Sequence, residues 1–371
     1  MRVDRIHTAN FRNLQSGTAD FGPALNILVG ENGQGKTNLL EAIYYFRFGR
    51  SFRAQSDTEL IHFDQPFSRV EVAATFADGR SETFACGFER RPGSGSVSRA
   101  IKVSGQLLAR RSDLAGRFPA VLFGPNDLRT VSGEPDYRRR FFDMVGTTTD
   151  PPYMRAAHEY RRALEQRNAA LKARAGRDEM AAWNERLIEP GADLLVRRHD
   201  LALRLEARMS AEARVLKSPF EFSMRYESTL WETADPPQVD TLREVFRERL
   251  LALAHEESRR GVTLAGPHRD DVQFCLAGSD LRKYGSQGQR RLFAVLLKLA
   301  ELAHLETELR EPCVLLLDDV FSEFDSTLMG RLQHLFDGDR QVFVTTPVEL
   351  PARESERTRV LTVSSGHVAP R

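Results

Sequence analysis

Apolar residues near the two ends of the chain occur in short runs typical of buried strands. Residues 24–29 form a mainly apolar run that ends at a glycine, and residues 313–317 and 341–345 form two more. Runs of this length favour strands buried on both faces of a parallel sheet. Residues 69–76 and 83–88 are separated by a segment containing Asp78-Gly79, which predicts a hairpin.

The middle of the chain follows a helical pattern instead. Residues 153–175 and 179–217 are rich in Ala, Leu, Arg and Glu, with apolar side chains at helical spacing. Pro190-Gly191 predicts a break in the second stretch. Residues 241–260 and 292–304 predict two further helices, and residues 220–226 a strand.

The alternation of these patterns predicts an α/β fold with two lobes. Residues 1–125 and 300–371 would form one α/β lobe, and residues 126–299 a mainly helical lobe inserted into it. A chain of 371 residues is long enough for two such units.

Composition limits the possible partners and compartments. The net charge is +1, so any nucleic acid would have to bind a local basic patch. The three cysteines are widely spaced and lack metal-ligand spacing, which indicates reduced thiols in a cytosolic protein. No apolar stretch approaches the roughly 20 residues that span a bilayer, and the start of the chain does not resemble a signal peptide.

A complete phosphate-binding loop follows the first apolar run. It matches G-x-x-x-x-G-K-[ST] and consists of Gly30, Glu31, Asn32, Gly33, Gln34, Gly35, Lys36 and Thr37. A strand before this motif and a helix after it are the context the motif requires. Backbone N–H groups and Lys36 would hold the phosphates of ATP, and the Thr37 hydroxyl would ligate Mg²⁺.

The apolar run of residues 313–317 ends in two carboxylates, Asp318 and Asp319. A parallel strand would place Asp318 beside the phosphate loop, since both lie at the carboxyl edge of the sheet. Asp318 then suits a role in holding Mg²⁺, and Asp319 suits a catalytic role in orienting or activating water. The alternative is an ordinary strand that ends in solvated acids.

A small turn precedes the apolar helix of residues 292–304. Ser286, Gly288 and Gln289 lie in it, and Ser286 is a natural helix N-cap. The turn also resembles the Ser-Gly-Gly-Gln signature of ABC-type ATPases, with Gln287 in place of the first glycine. That signature implies contact with the γ-phosphate of a nucleotide held by a second copy of the chain.

The three motifs, in this order, resemble ABC-type ATPases, and further segments resemble the RecF family in the SMC-like branch. The segments are residues 6–14, 121–128, 137–143, 266–271 and 318–325. The resemblance implies an ABC-type P-loop ATPase head with an inserted, mainly helical second lobe. It also places Arg12 and Asn13 near the nucleotide.

The chain departs from the ABC pattern at three positions. The usual Q-loop glutamine is replaced by Pro125-Asn126, and Asn126 is the candidate for its role. The switch histidine is replaced by Thr345 or Thr346, and the catalytic glutamate by Asp319.

The resemblance implies an ATP-dependent recombination mediator that acts in DNA repair, replication, recombination and the SOS response. Such a protein would bind double-stranded DNA and single-strand/double-strand junctions and dimerise with ATP. It would promote RecA loading on single-stranded gaps together with RecR and RecO, and it would hydrolyse ATP slowly with stimulation by DNA.

Two other ATPase classes serve as alternatives. A transporter subunit would have far fewer residues between phosphate loop and signature than the roughly 250 that separate Lys36 from Ser286. An SMC head needs long heptad arms, which this sequence lacks, so only an arm-less SMC-like head stays open.

Overall fold

The computed structural model describes residues 1–91, 93, 95–319, 330, 332, 340–347 and 357–371. The chain divides into two compact units. The first contains Met1–Pro125 and Leu305–Arg371, and the second contains Asn126–His304.

The regular structure is mainly strands in the first unit and mainly helices in the second. In the first unit the strands are β1 (Arg2–Ala9), β2 (Gly17–Asp20), β3 (Leu25–Val29), β4 (Phe67–Thr75), β5 (Ser81–Arg90), β6 (Val97–Val103), β7 (Gln106–Leu107) and β8 (Ala120–Phe123). The second unit contributes β9 (Phe222–Glu227), β10 (Asp271–Leu276) and β11 (Ser279–Asp280). The chain returns to the first unit with β12 (Val314–Leu317), β13 (Val342–Thr346), β14 (Thr358–Ser364) and β15 (His367–Pro370).

The described helices follow the same division. They are α1 (Lys36–Phe48), α2 (Leu128–Ser132), α3 (Pro135–Thr149), α4 (Pro151–Lys172), α5 (Arg177–Val215), α6 (Val239–Arg260), α7 (Leu281–Tyr284) and α8 (Gln287–Leu309). None of the helices among the described residues has the length and apolar character needed to cross a membrane.

A parallel sheet places the chemistry-bearing motifs of the first unit at one edge. The strand order is β15-β14-β3-β13-β12-β8, and β14, β3, β13, β12 and β8 run parallel. The strands predicted from the three apolar runs are β3, β12 and β13, so these predictions are confirmed. Because their carboxyl ends meet at one edge, the residues that follow β3 and β12 are brought together.

Helix α1 packs into the core of the first unit. Leu39, Leu40 and Ile43 are almost fully buried in a cluster that also contains Phe84 of the antiparallel sheet and Phe343 of the parallel sheet. The antiparallel sheet has the order β2-β1-β4-β5-β6-β7, and its β4–β5 hairpin turns at Asp78-Gly79 as predicted. The phosphate loop is thus connected to a helix that the core holds on several sides.

The second unit corrects one prediction. Helix α5 continues through Pro190 for 39 residues, so the predicted break is wrong. A proline removes one backbone hydrogen bond, but burial of neighbouring side chains such as Leu187 and Leu194 stabilises both halves of the helix. Gly191 belongs to the same packing, since a Cβ there would lie 2.7 Å from a ring carbon of Phe246.

Candidate nucleotide site

The phosphate loop needs glycine at three positions for different reasons. Gly33 and Gly35 have φ of 82° and 116°, which side chains rarely adopt. A Cβ at Gly35 would also lie 2.9 Å from the Asn13 Oδ1 atom. A Cβ at Gly30 would lie 2.2 Å from the Val363 carbonyl oxygen. The loop backbone is therefore closely packed against other segments of the same unit.

The Lys36 ammonium group lies inside the turn of the loop. Its Nζ donates to the carbonyl oxygens of Gly30 at 2.5 Å and Glu31 at 2.9 Å. Burial lowers the pKa of Lys36, and the nearby carboxylates of Asp319 and Asp318 oppose that shift. A buried ammonium group inside this loop is suited to pairing with an anionic ligand.

The fold brings Thr37 and Asp318 together from positions 281 residues apart. The Thr37 hydroxyl donates to Asp318 Oδ1 at 2.8 Å. Asp318 is buried, which raises the pKa of its carboxyl group, while hydrogen bonds from Thr37 and Thr345 oppose the rise. A hydroxyl beside a poorly solvated carboxylate is a donor set that suits Mg²⁺.

Thr345 connects the two acidic residues. Its hydroxyl donates to Asp318 Oδ1 at 3.0 Å and accepts from the Asp319 backbone N–H at 2.8 Å. This follows from the register of the sheet, because Leu317 on β12 is paired with Val344 on β13. Asp319 itself has φ of 53°, so the chain turns sharply after β12.

Thr346 and Asn126 are the other candidates at the positions that depart from the ABC pattern. Thr346 is buried, and its carbonyl oxygen accepts from the Gly30 N–H at 3.3 Å. Asn126 is an exposed residue in a 3₁₀ turn, Pro125–Asp127, after β8. Residues 320–325, which contributed to the family resemblance, lie outside the described residues.

Asn13 contacts the phosphate loop itself, whereas Arg12 contacts the helix that follows the loop. Asn13 Nδ2 donates to the Gly33 carbonyl oxygen at 2.9 Å, so its side chain braces the loop. Arg12 forms a two-pronged ion pair with the buried Glu41 of α1, at 3.0 and 2.9 Å. Burial alone would raise the pKa of Glu41, but its hydrogen bonds to arginine lower it below the usual value.

Arg53 is the site residue that the sequence reasoning missed. Its guanidinium donates to Glu41 Oε2 at 2.7 Å and also hydrogen-bonds to Asn38. No motif surrounds Arg53, and only the folded chain brings it to α1. It adds a second guanidinium next to Arg12, and both are partly exposed.

A cleft of about 670 Å³ opens next to Asn13 and to Asn38, which follows the phosphate loop in α1. Its lining consists of Arg12, Asn13, Asn38, Arg53, Thr58, Glu59, Ile61, His62, Phe63 and Arg90. The His62 and Phe63 rings stack with centroids 4.6 Å apart, and Phe63 is 81% exposed. Flat rings, apolar surface and guanidinium groups in one cleft suit a nucleoside joined to phosphates.

The signature-like turn lies in the second unit, where α8 begins. The Ser286 hydroxyl accepts from the Gln289 N–H at 3.3 Å, and Gln289 Oε1 accepts from the Ser286 N–H at 2.7 Å. This reciprocal pair is a capping box. Ser286 and Gly288 are exposed, and the first N–H groups of a helix have no partner within it. The turn therefore combines a stable cap with donors that face outward.

Comparison with known proteins decides the family. The family model described as the RecF/RecN/SMC N terminal domain matches residues 2–367. The DNA replication and repair protein RecF of Halothermothrix orenii is 35% identical over 351 residues, covering 93% of this chain and 92% of that protein. The chain belongs to the RecF family.

Solved structures agree with the RecF assignment. The structure of the recombination mediator protein RecF with ATP, from the RecFOR pathway, has a TM-score of 0.92 at 30% identity. It covers 100% of this chain and 97% of that chain. The Smc head domain of Pyrococcus furiosus has a TM-score of 0.53 at 15% identity, covering 99% of this chain and 94% of that one. The similarity to the Smc head confirms the predicted ABC-type ATPase head fold. The solved RecF structure with ATP shows that the RecF family binds ATP.

Proposed function

We propose that this RecF family chain is an ATP-dependent, DNA-binding recombination mediator, with ATP as a switch between monomer and dimer. The observation that carries the proposal is the 2.8 Å contact between Thr37 and Asp318. It joins the phosphate loop to the acidic strand end in the arrangement that a P-loop ATPase uses for ATP and Mg²⁺. In this proposal residues 1–125 and 300–371 are the ATPase lobe, and residues 126–299 are the helical lobe that ends in the signature.

The phosphate loop would hold the triphosphate and the adjoining cleft the nucleoside. The N–H groups of residues 30–37 and the Lys36 ammonium would neutralise phosphate oxygens. The nucleoside would lie against the His62–Phe63 stack, with Arg12 and Arg53 near its phosphates.

Thr37 and Asp318 would hold Mg²⁺, which when bound neutralises charge on the phosphates. The described residues hold no group of three His, Cys, Asp or Glu side chains arranged for a metal. Water and phosphate oxygens would therefore complete the coordination, as is usual for Mg²⁺.

Asp319 is the proposed catalytic residue and Thr345 its positioning residue. Asp319 would orient or activate the attacking water, and the Thr345 hydroxyl fixes the backbone N–H of Asp319. Aspartate is one methylene shorter than glutamate, so it reaches water less readily. Positioning supplies much of the rate in phosphoryl transfer. We therefore expect slow turnover, stimulated by DNA, that suits a timer.

Asp319→Asn is expected to bind ATP normally but to lose at least about 100-fold in hydrolysis. The amide keeps the shape of the side chain and removes its basic oxygen. The dimer should then persist in ATP, because the γ-phosphate is not removed. Single-turnover hydrolysis and sedimentation in ATP measure both effects. Asp178→Asn makes the same chemical change at an exposed residue of α5, so it is the matched control and should behave like wild type. Wild-type turnover by Asp319→Asn would contradict the catalytic assignment.

DNA binding is proposed to use a basic surface on α4 and the turn after it. Arg161, Arg162, Lys172 and Arg174 are exposed there. Arg167 lies close to these residues in the sequence but does not belong to the basic surface. It is buried, and its guanidinium bonds to Glu257 at 2.6 Å and to Thr263 at 2.7 Å. Its charge is therefore paired inside the second unit and is not available to DNA.

A titration of double-stranded DNA tests this proposal. Affinity should rise with ATP, show no base-sequence preference and fall steeply as salt increases. Charge reversal at Arg161 and Arg162 should weaken binding about tenfold or more. Reversal at Arg249 and Arg259, two exposed residues of α6, changes the net charge equally and should have little effect. Binding that ignores both salt and ATP would contradict the proposal.

The proposed protein partners are inferred from the related proteins of known structure. The related solved structures are of a mediator in the RecFOR pathway. We therefore propose that this chain works with RecR and RecO to promote RecA loading at single-stranded gaps, bound to double-stranded DNA and to junctions.

A further inference from the structure

The turn between β14 and β15 contacts the phosphate loop directly. The Gly366 N–H donates to the Gln34 carbonyl oxygen at 3.0 Å. The Ser365 N–H donates to the side-chain Oε1 of the same residue. The Gly366 carbonyl oxygen in turn accepts from the Gln15 N–H at 2.9 Å. A turn more than 300 residues away in sequence thus joins the middle of the loop to the segment after Asn13.

The packing at this contact leaves no room for a side chain. A Cβ at Gly366 would lie 1.9 Å from the Asn13 carbonyl oxygen. The side chain of the same Asn13 donates to the Gly33 carbonyl oxygen of the phosphate loop. On β14, the Val363 carbonyl oxygen is the atom that a Cβ at Gly30 would meet. The hairpin therefore contacts the loop near both its first glycine and its middle.

The turn itself is an ordinary hairpin turn. Gly366 is needed there for two reasons, its positive φ and the close approach of Asn13, and a second turn in the chain shares only the first. Ser365 and Gly366 have φ of 48° and 78°. Ser104 and Gly105, between β6 and β7, have nearly the same pair of angles, 47° and 81°. A Cβ at Gly105 would meet nothing within 4 Å. The two turns have similar φ angles. Of the two, only the turn at Gly366 packs against Asn13 and hydrogen-bonds to the phosphate loop.

We propose that the β14–β15 turn is a positioning element of the nucleotide site. It holds Gln34 and Asn13 so that the N–H groups of residues 33–37 converge on the phosphates. This inference rests on the proposed ATP function. It adds Ser365 and Gly366 as residues that act through the loop without touching the nucleotide. Gln34, a position at which the motif accepts any residue, receives a specific role as the acceptor for both N–H groups.

The test compares Gly366→Ala with Gly105→Ala. Both variants impose the same backbone strain, so both should lose a similar amount of stability from that source. Only Gly366→Ala should push Asn13 and the loop apart. We expect its Kd for ATP to rise about tenfold or more, since displacements of an ångström at such sites have large effects. Gly105→Ala should stay within about twofold of wild type at a temperature where both are folded.

Hydrogen exchange without nucleotide supplies a second readout. The amides of residues 33–37 should exchange faster in Gly366→Ala but not in Gly105→Ala. If Gly366→Ala does not fold, Gln34→Leu removes the acceptor for the Ser365 N–H without touching the backbone. It should raise both the Kd for ATP and the loop exchange rates. Unchanged ATP affinity and unchanged loop exchange in a folded Gly366→Ala or Gln34→Leu protein would overturn the inference. A wild-type chain that binds no ATP would instead overturn the proposed function, and loop exchange would still decide what the turn does.

Discussion

Replacing Ser286 with aspartate is expected to give a stable protein that binds ATP but does not dimerise with it. Aspartate is as good an N-cap as serine, so the hydrogen bond from the Gln289 N–H is kept and α8 stays capped. The carboxylate would, however, face the γ-phosphate of the nucleotide on the second copy. Charge-assisted hydrogen bonds to phosphate contribute roughly 1.5–3 kcal/mol each, and a symmetric dimer has the contact twice. Repulsion in place of that attraction should reduce ATP-driven dimerisation and hydrolysis at least about 100-fold.

Two further variants separate the cap from the proposed contact in trans. Ser286→Thr keeps both the cap and a hydroxyl, and it should dimerise almost normally. Ser286→Arg removes the cap and blocks the turn, and it should lose dimerisation while keeping monomer affinity for ATP. Sedimentation in ATP and a monomer binding titration measure the two properties. If Ser286→Asp dimerises like wild type, Ser286 is only a helix cap.

Lys36→Met is expected to weaken ATP binding at least about 100-fold. The side chain that donates to the carbonyl oxygens of Gly30 and Glu31 would lose its charge and its donors. The phosphates would then enter a buried site without their main counter-charge. The fold should remain stable, because methionine fills a similar volume and leaves no buried cation. Titration of a fluorescent ATP analogue measures the loss.

Lys102→Met is the matched control for this variant, since Lys102 is exposed on β6. It makes the same chemical change and should bind ATP like wild type. ATP affinity of Lys36→Met within a few-fold of the control would contradict the proposed role of the phosphate loop.

Local pattern was enough to predict the strands β3, β12 and β13, the hairpin of β4 and β5, and the glycine motif. Short apolar runs and a glycine-rich turn depend on neighbouring residues, so β3, β12 and the loop after β3 could be read directly. The juxtaposition of Thr37 and Asp318 needed one further step, the meeting of parallel strand ends at one edge of a sheet. The same register explains the position of Thr345, which the sequence left as one of two choices.

Long-range packing accounts for what the sequence did not predict. Helix α5 passes through Pro190 because contacts from other elements outweigh a local preference. Arg53 and Arg167 look like any other arginine in a chain rich in this residue. Only the fold shows that Arg53 reaches Glu41 and that Arg167 is buried. The contact of Gly366 with the phosphate loop has no sequence signal, because its partner is remote along the chain.

ATP is expected to hold two copies of this chain together through its γ-phosphate. Sedimentation of the wild-type protein with Mg²⁺ and either no nucleotide, ADP or ATP, each with and without double-stranded DNA, tests it most directly. Since ADP lacks the γ-phosphate, only ATP can supply the bridging contact. We expect a monomer without nucleotide and with ADP, and a dimer of twice 42.0 kDa with ATP. The same mass in all three nucleotide conditions would contradict it.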